Sequence, residues 1–349
     1  MRKQPMMEFL EPNIEIWKLK NNSVCVVAHM PQASLTSINL WIRAGSSQEK
    51  KGEEGMAHFL EHMVFKGGKH IKEGEFDKKI EEIGGTSNAA TGFDDVQYYV
   101  QVPHEFVEQA IKLLLDLVLE PLFEEHAFNI EKEVVLEEIA QINDSPEDQI
   151  YQNLFKLCWR EHPYGKSILG IKNTLKKITP EKMQSFHKNF YTGENIVMSI
   201  AGKVPEEIKN ILDISILKDI KSYSIKNRNK EILVFNKKFH EIQLNRIEIA
   251  RFIMAWPLPP SRNHEILMGY DIASTILAEG RNSKLIKRLR EELQIIESIE
   301  MEVNDLEEGG LLILEVCCSP NNILLVENEI NNILKCLLTK PIKEKEIKR

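Results

Sequence analysis

Residues 55–67 read GMAHFLEHMVFKG. Apolar positions Met56, Phe59, Leu60, Met63, Val64 and Phe65 recur so closely that a helix here must be buried nearly all round. Within it stand His58, Glu61 and His62. Helical residues four apart lie on one face, so His58 and His62 project together. Two imidazoles so placed can reach one metal ion, with a third ligand supplied from elsewhere. Glu61 falls on the same side, where a carboxylate can take a proton from a metal-activated water. Polar groups in so apolar a helix need partners, and a metal satisfies both imidazoles at once. The spacing is H-x-x-E-H, the inverse of the commoner H-E-x-x-H.

The third ligand is sought on a later helix. Residues 124–142 carry Glu131, Glu133, Glu137 and Glu138. Glu131 and Glu138 are seven apart and share a face with Val134 and Val135, whereas Glu133 and Glu137 turn away. The apolar flanks select Glu138 as ligand and Glu131 as its support.

Working outward, residues 14–42 alternate apolar and polar. They predict a hairpin, Ile14–Lys20 with Val24–Met30, and a strand from Leu35 to Arg43. Helical patterns follow at 55–66 and at 74–83, the second stopped by Gly84-Gly85. Residues 86–102 read as one strand, 104–119, 124–142 and 147–160 as helices, and 195–202 as a strand. The stretch 205–230, rich in Lys and Asp, reads as a linker. The order then restarts: strands near 231–236 and 245–255, helices at 264–278 and 283–293, strands near 296–303 and 311–317, and a last helix. The weak repeat predicts an α+β chain of two related domains, each a mostly antiparallel sheet with helices on one face. The predicted bounds are 14–205 for a domain holding the H-x-x-E-H motif, 206–230 for the linker, and 231–349 for a second domain.

Composition narrows the function. The 349 residues are 42% hydrophobic and 28% charged, ordinary for a globular chain. Acidic residues outnumber basic ones by 53 to 45, a net charge of −8, so no basic surface for nucleic acid is expected. Cys25, Cys158, Cys317, Cys318 and Cys336 form no C-x-x-C and suit a reducing compartment. The N-terminus lacks the apolar run of a signal peptide, and no apolar stretch is long enough to cross a membrane. A cytoplasmic location and no membrane contact are expected.

GMAHFLEHMVFKG, with Glu131 and Glu138 in EKEVVLEEI (131–139), resembles the pitrilysin/insulinase family of zinc peptidases, in its mitochondrial-processing-peptidase-like branch. The resemblance extends to GGTSNAATGFDDVQYY (84–99) and HPYGKSILG (162–170). It implies a zinc-dependent endopeptidase for unstructured peptides, with 14–205 as its catalytic zinc-binding domain and 231–349 as a second, related domain that is truncated or shortened. One Zn²⁺ per chain would be held by His58, His62 and Glu138, with Glu61 as general base toward a zinc-bound water and Glu131 in support. It also implies that the strand bearing Asn88 and Ala89 pairs with substrate backbone. AEGRNSKLIKRLREEL (278–293) resembles the helix bearing the family's substrate-binding arginine, here Arg290. The family places Tyr seven residues later, after Gly-Leu-Ala; this chain has Gln294-Ile295-Ile296-Glu297. A homodimer, or a heterodimer with a related chain supplying that Arg/Tyr half-site, is therefore expected. The alternatives are a non-catalytic scaffold subunit and a metal-binding module without turnover.

Overall fold

In the computed structural model, residues 12–222, 232–243, 248–340, 342 and 344 are described. They form two compact units, one holding residues up to 152 and from 163 to 222, the other residues 153–162 and from 232 on.

The first unit opens with β1 (Asn13–Lys18), β2 (Val24–His29) and β3 (Leu35–Ile42). Then come α1 (Met56–Val64), α2 (Glu75–Glu82), β4 (Thr86–Thr91), β5 (Val96–Pro103), α3 (Val107–Leu119), α4 (Glu125–Asp144) and α5 (Pro146–Trp159), whose residues from 153 on belong to the second unit. A short α6 (Lys172–Leu175), α7 (Pro180–Phe190), β6 (Ile196–Gly202) and α8 (Ile208–Ile214) complete it. The sheet order is β1-β2-β6-β3-β5-β4. Among the described strands of this sheet, only β2 and β6 pair in parallel. Strand alternation sets the layers. Ile38, Leu40 and Ile42 of β3 and Val96, Tyr98, Val100 and Val102 of β5 are fully buried, and the register puts Leu40 opposite Tyr98 and Ile38 opposite Val100. This one face joins Phe59 and Leu60 of α1 and Leu114, Leu115 and Leu117 of α3 in a single core. At about 1.5–3 kcal/mol per large apolar side chain, that core fixes α1 against the sheet.

The second unit holds β7 (Ala250–Leu258), α9 (His264–Ala278), a π-helical turn Ile286–Glu292, β8 (Ser298–Asn304), β9 (Gly310–Cys318) and α10 (Ile323–Thr339). Its antiparallel sheet has the order β7-β9-β8. Leu277, Leu285 and Leu289 pack with Leu314, Val316, Val326 and Ile330. The α+β class with two sheets and packed helices stands.

Several local expectations are corrected. Residues 86–102 are two strands, β4 and β5. Backbone N–H groups of Gly45, Ser46 and Ser47 donate to the carbonyls of Asp94, Gly92 and Phe93, a tertiary clamp that makes residues 92–95 a turn despite the continuous alternation. The expected linker contains α8, because Ile208, Ile211, Leu212 and Leu217 are buried, an apolar face diluted in sequence by Lys, Asn and Asp; residues 223–230 lie outside the described residues. No strand forms at 232–236: Asn236 instead donates its N–H to Cys158 O and its side-chain amide to Leu157 O, tying this segment to the end of α5. The strand expected at 245–255 begins at Ala250, residues 244–247 lying outside the described ones. The helix expected at 283–293 contains a wider π turn, with Leu293 N–H reaching Arg288 O. Helix α7 was not anticipated, although Thr179 caps it and Pro180 opens it.

Candidate metal centre

The centre is built on the start of α1. Gly55 and Gly170 have φ of 93° and 75°, and a Cβ on Gly170 would lie 2.2 Å from the Glu54 carbonyl oxygen. Their missing side chains let Leu169 and Gly170 press against the helix entrance. Glu49 accepts the N–H groups of Gly55 at 3.0 Å and Ala57 at 2.8 Å, satisfying open donors of the first turn. Burial pushes the Glu49 carboxyl up to about 8, against the pull of those two donors. Met56, Ala57, Phe59, Leu60, Met63 and Val64 are buried, so α1 cannot roll and its histidines are aimed.

His58 and His62 meet with ring centroids 4.7 Å apart. Glu138 of α4 faces both: its Oε2 lies 3.6 Å from His58 Nε2 and 3.5 Å from His62 Nε2. Burial, and then the neighbouring His62, push the His58 imidazole down to about 4, so at neutral pH its ring is uncharged. Glu138 Oε2 and His58 Nδ1 are buried without hydrogen-bond partners among the described residues.

These donors fit a divalent cation. At 3.5–3.6 Å the contacts are too long for N–H···O bonds. Ligand atoms sharing a tetrahedral ion at bond lengths near 2.0–2.1 Å stand about 3.4 Å apart. An orphaned carboxylate oxygen facing two imidazole nitrogens is therefore a ready ligand set. A second cluster, His70, Asp116 and Glu120, is weaker, because Lys69 already places its ammonium 3.3 Å from Glu120.

Glu131, 5% exposed, sits behind this group. Its Oε1 is 2.8 Å from His62 Nδ1 and its Oε2 is 2.7 Å from Lys66 Nζ. Burial opposes its ionisation, but Lys66 and His62 outweigh burial and hold the carboxyl below its ordinary range. The carboxylate fixes the His62 ring and leaves Nε2 free toward Glu138. Glu61 accepts a hydrogen bond from the Thr91 hydroxyl on β4. Burial raises its pKa, with the Thr91 bond pulling down and Glu138 adding a smaller push upward.

The structure thus brings His58, Glu61, His62, Glu131 and Glu138 together. Asn88 and Ala89 lie on β4, the edge strand packed beside α1, and Asn88 Oδ1 accepts the Ala89 N–H at 2.8 Å. Arg290 belongs to the second unit, in the π-helical turn, where its guanidinium bonds Glu291 at 3.2 and 3.3 Å. Val134, expected on the ligand face, is exposed; Val135 carries the buried side. Sequence reasoning missed Thr91 and Lys66. Lys66 was findable, standing four residues after His62 on the same face; Thr91 left no local signal.

The insulinase model of peptidase family M16 matches residues 24–172, and the model of the M16 inactive domain matches 177–349. A relative named an uncharacterized zinc protease, from Rickettsia bellii (strain RML369-C), is 28% identical over 344 residues, 97% of this chain and 82% of the relative. The probable mitochondrial-processing peptidase subunit beta of Arabidopsis thaliana is 33% identical over 196 residues, 56% of this chain and 37% of that protein. A protease from Helicobacter pylori shares the fold at a TM-score of 0.86 and 23% identity, covering 97% of this chain and 82% of that one.

Proposed function

The chain belongs to the insulinase family of zinc peptidases, peptidase family M16, and on that premise we propose that it is a zinc-dependent endopeptidase acting on unstructured peptides. The observation that carries the reading is Glu138 Oε2, buried, unpartnered and flanked by the Nε2 atoms of His58 and His62. These three side chains would hold one zinc ion. When bound, zinc acts as a Lewis acid that polarises a carbonyl and makes water acidic near neutral pH. Glu131 holds the His62 ring by its Nδ1, and Lys66 balances the buried carboxylate. Glu61 is the general base: its burial raises its proton affinity, so it can take a proton from the attacking water and return it to the leaving amine. Thr91 fixes one of its oxygens. The edge of β4 suits an extended peptide, whose backbone would pair there whatever its sequence, at Asn88 and Ala89.

A second reading rests on Glu297. It is exposed where the family carries a tyrosine, and Arg290 is engaged by Glu291. These favour a chain that draws its Arg/Tyr half-site from a related partner. Among the described residues, no helix is long and apolar enough to cross a membrane.

The test is Glu61→Gln, which removes the base and keeps the side chain's size. The variant should retain about one zinc per chain and lose peptide cleavage. Wild-type turnover in this variant would remove Glu61 from the mechanism. Zinc bound by the wild-type chain without cleavage, alone or with a related chain, would leave the scaffold reading.

A further inference from the structure

We propose that the loop leaving α1 and the last turn of α3 form a second cation site, in which His70, Asp116 and Glu120 hold a divalent transition ion of the zinc class. The site is separate from His58, His62 and Glu138, and it stands whether or not that centre cleaves peptides.

Backbone packing brings the three residues together. Asp116 and Glu120 are four apart at the end of α3, so they share a face. The loop 67–71 is seated on that end. Lys69 donates its N–H to Glu120 O at 2.9 Å, and Leu122 donates its N–H to Gly67 O at 2.9 Å. A Cβ on Gly68 would lie 2.9 Å from Asp116 O and 3.3 Å from Asp116 Oδ2, so a glycine lets the loop close on the helix. His70 follows, with its Nε2 3.8 Å from Glu120 Oε2. One ligand atom from each of the three residues falls within 4.8 Å of the others.

The electrostatics call for a cation. Two carboxylates at this spacing repel each other, and both stand at the negative end of the α3 dipole. Asp116 is 8% exposed, yet among the described residues its carboxylate accepts only the His70 N–H, at 3.3 Å. An ionised carboxylate has about four acceptor positions, so most of this buried group's capacity is unmet. Lys69 answers Glu120 alone: its ammonium lies 3.3 Å from Oε1 and leaves Oε2 toward His70. A pair with so exposed a lysine holds weakly. The 3.8 Å contact of His70 is too long for a hydrogen bond. Ligand atoms around a tetrahedral ion at bond lengths of about 2.0–2.2 Å stand about 3.4 Å apart, so movements of about an ångström close the set. The His70 side chain is 65% exposed and can make them. An imidazole nitrogen beside two carboxylates selects Zn²⁺ and its neighbours over Ca²⁺ and Mg²⁺, which take oxygen ligands. Lys69 must leave and an exposed imidazole must be ordered, so this ion is held more loosely than the first and is supplied by added metal. Once bound, it clips the loop leaving α1 to the end of α3.

The test is a metal titration and needs no turnover. Wild-type protein carrying one zinc equivalent is titrated with ZnCl2 by isothermal calorimetry, and its Tm is followed. One further equivalent should bind and raise Tm by about 5–10 °C at 100 times its Kd; CaCl2 or MgCl2 at the same concentration should not. His70→Ala, at an exposed position, should weaken this equivalent at least about tenfold and leave the first unchanged. Lys69→Ala should tighten it about three- to tenfold, because an ammonium no longer competes for Glu120. His62→Gln should lose the first equivalent and keep this one, which separates the two centres. Saturation at one equivalent overturns the site. So does a second equivalent of unchanged affinity in His70→Ala, which marks adventitious surface binding, and so does weaker binding in Lys69→Ala. An equal Tm rise with Ca²⁺ overturns the assignment to an imidazole-ligated ion.

Discussion

Replacing Glu131 separates the job of holding zinc from the job of aiming its ligand. Glu131 does not face the orphaned Glu138 oxygen; it grips His62 from behind at 2.8 Å. Partners of this kind carry about 10- to 100-fold in metal affinity, or about 1.4–2.7 kcal/mol. Two features of the structure assign positions in that range. The carboxylate is 5% exposed and both its oxygens are used, so Glu131→Ala should fall near the hundredfold end. Glu131→Gln keeps an acceptor for the His62 N–H and loses only the charge, so about tenfold is expected. Glu131→Ala also strands Lys66, whose remaining partner is Glu73 at 3.4 Å, so the metal-free fold should weaken by about 1–3 kcal/mol. Zinc competition against a fluorescent chelator reads the affinity directly. The zinc-induced rise in Tm reads it again, because a hundredfold weaker Kd removes about 2.7 kcal/mol of ligand stabilisation, or about 5–10 °C for a unit of this size. Zinc affinity of Glu131→Ala within twofold of wild type would refute the claim that this carboxylate sets the His62 ring.

The same carboxylate gives a pH signature in the metal-free protein. Its folded pKa is depressed, so its stabilisation is full above the ordinary value of 4.5 and is lost as pH falls through the lower folded value. The Tm difference between wild type and Glu131→Gln should therefore shrink on acidification; a constant difference across the carboxylate range contradicts it. Gly170→Ala places a Cβ 2.2 Å from the Glu54 oxygen at a φ of 75°, so urea unfolding should show a loss of about 2–4 kcal/mol, and a change under about 0.5 would disprove the close approach. Gln294 occupies a φ of 53°, so Gln294→Gly should stabilise the second unit by about 0.5–1 kcal/mol, and a lower denaturation midpoint would count against that strain.

Legibility in the sequence followed the range of the interactions. Helix α1 was readable because its apolar positions and its His58–His62 spacing are all local. The choice of Glu138 over Glu137 depended only on which side of α4 is buried, and Val135 and Ile139 decide that side even though Val134 turns to solvent. The Thr91–Glu61 bond spans 30 residues and exists only because residues 92–95 turn β4 back beside α1. Glu49 was invisible for a similar reason: nothing near it says that the helix beginning at Met56 will be capped by a side chain from an earlier loop. The π turn buries Ile286 and Leu289, positions that no helical spacing distinguishes from those of an ordinary turn.

The departures at Gln294 and Glu297 are of two different kinds, and the distinction bears on what the second unit contributes. Gln294 has a left-handed backbone, φ 53°, a conformation that a glycine adopts without strain. Glu297 keeps its place beside the sheet, donating its backbone N–H to Cys317 O at 2.8 Å. The chain thus turns at Gln294 and joins the sheet at Glu297, and the departure from the family's pattern that bears on chemistry is at the side chain of 297. A phenol donates a hydrogen bond to a carbonyl oxygen; an ionised carboxylate only accepts and repels developing negative charge. Arg290, which the resemblance implies as the other donor, spends its Nε and Nη2 on Glu291. Losing one donor to a developing oxyanion lowers turnover by roughly 100- to 1,000-fold. On the peptidase reading proposed above, a related partner chain carrying the Arg/Tyr pair would supply that donor, and adding such a chain should raise peptide cleavage by a factor of that order.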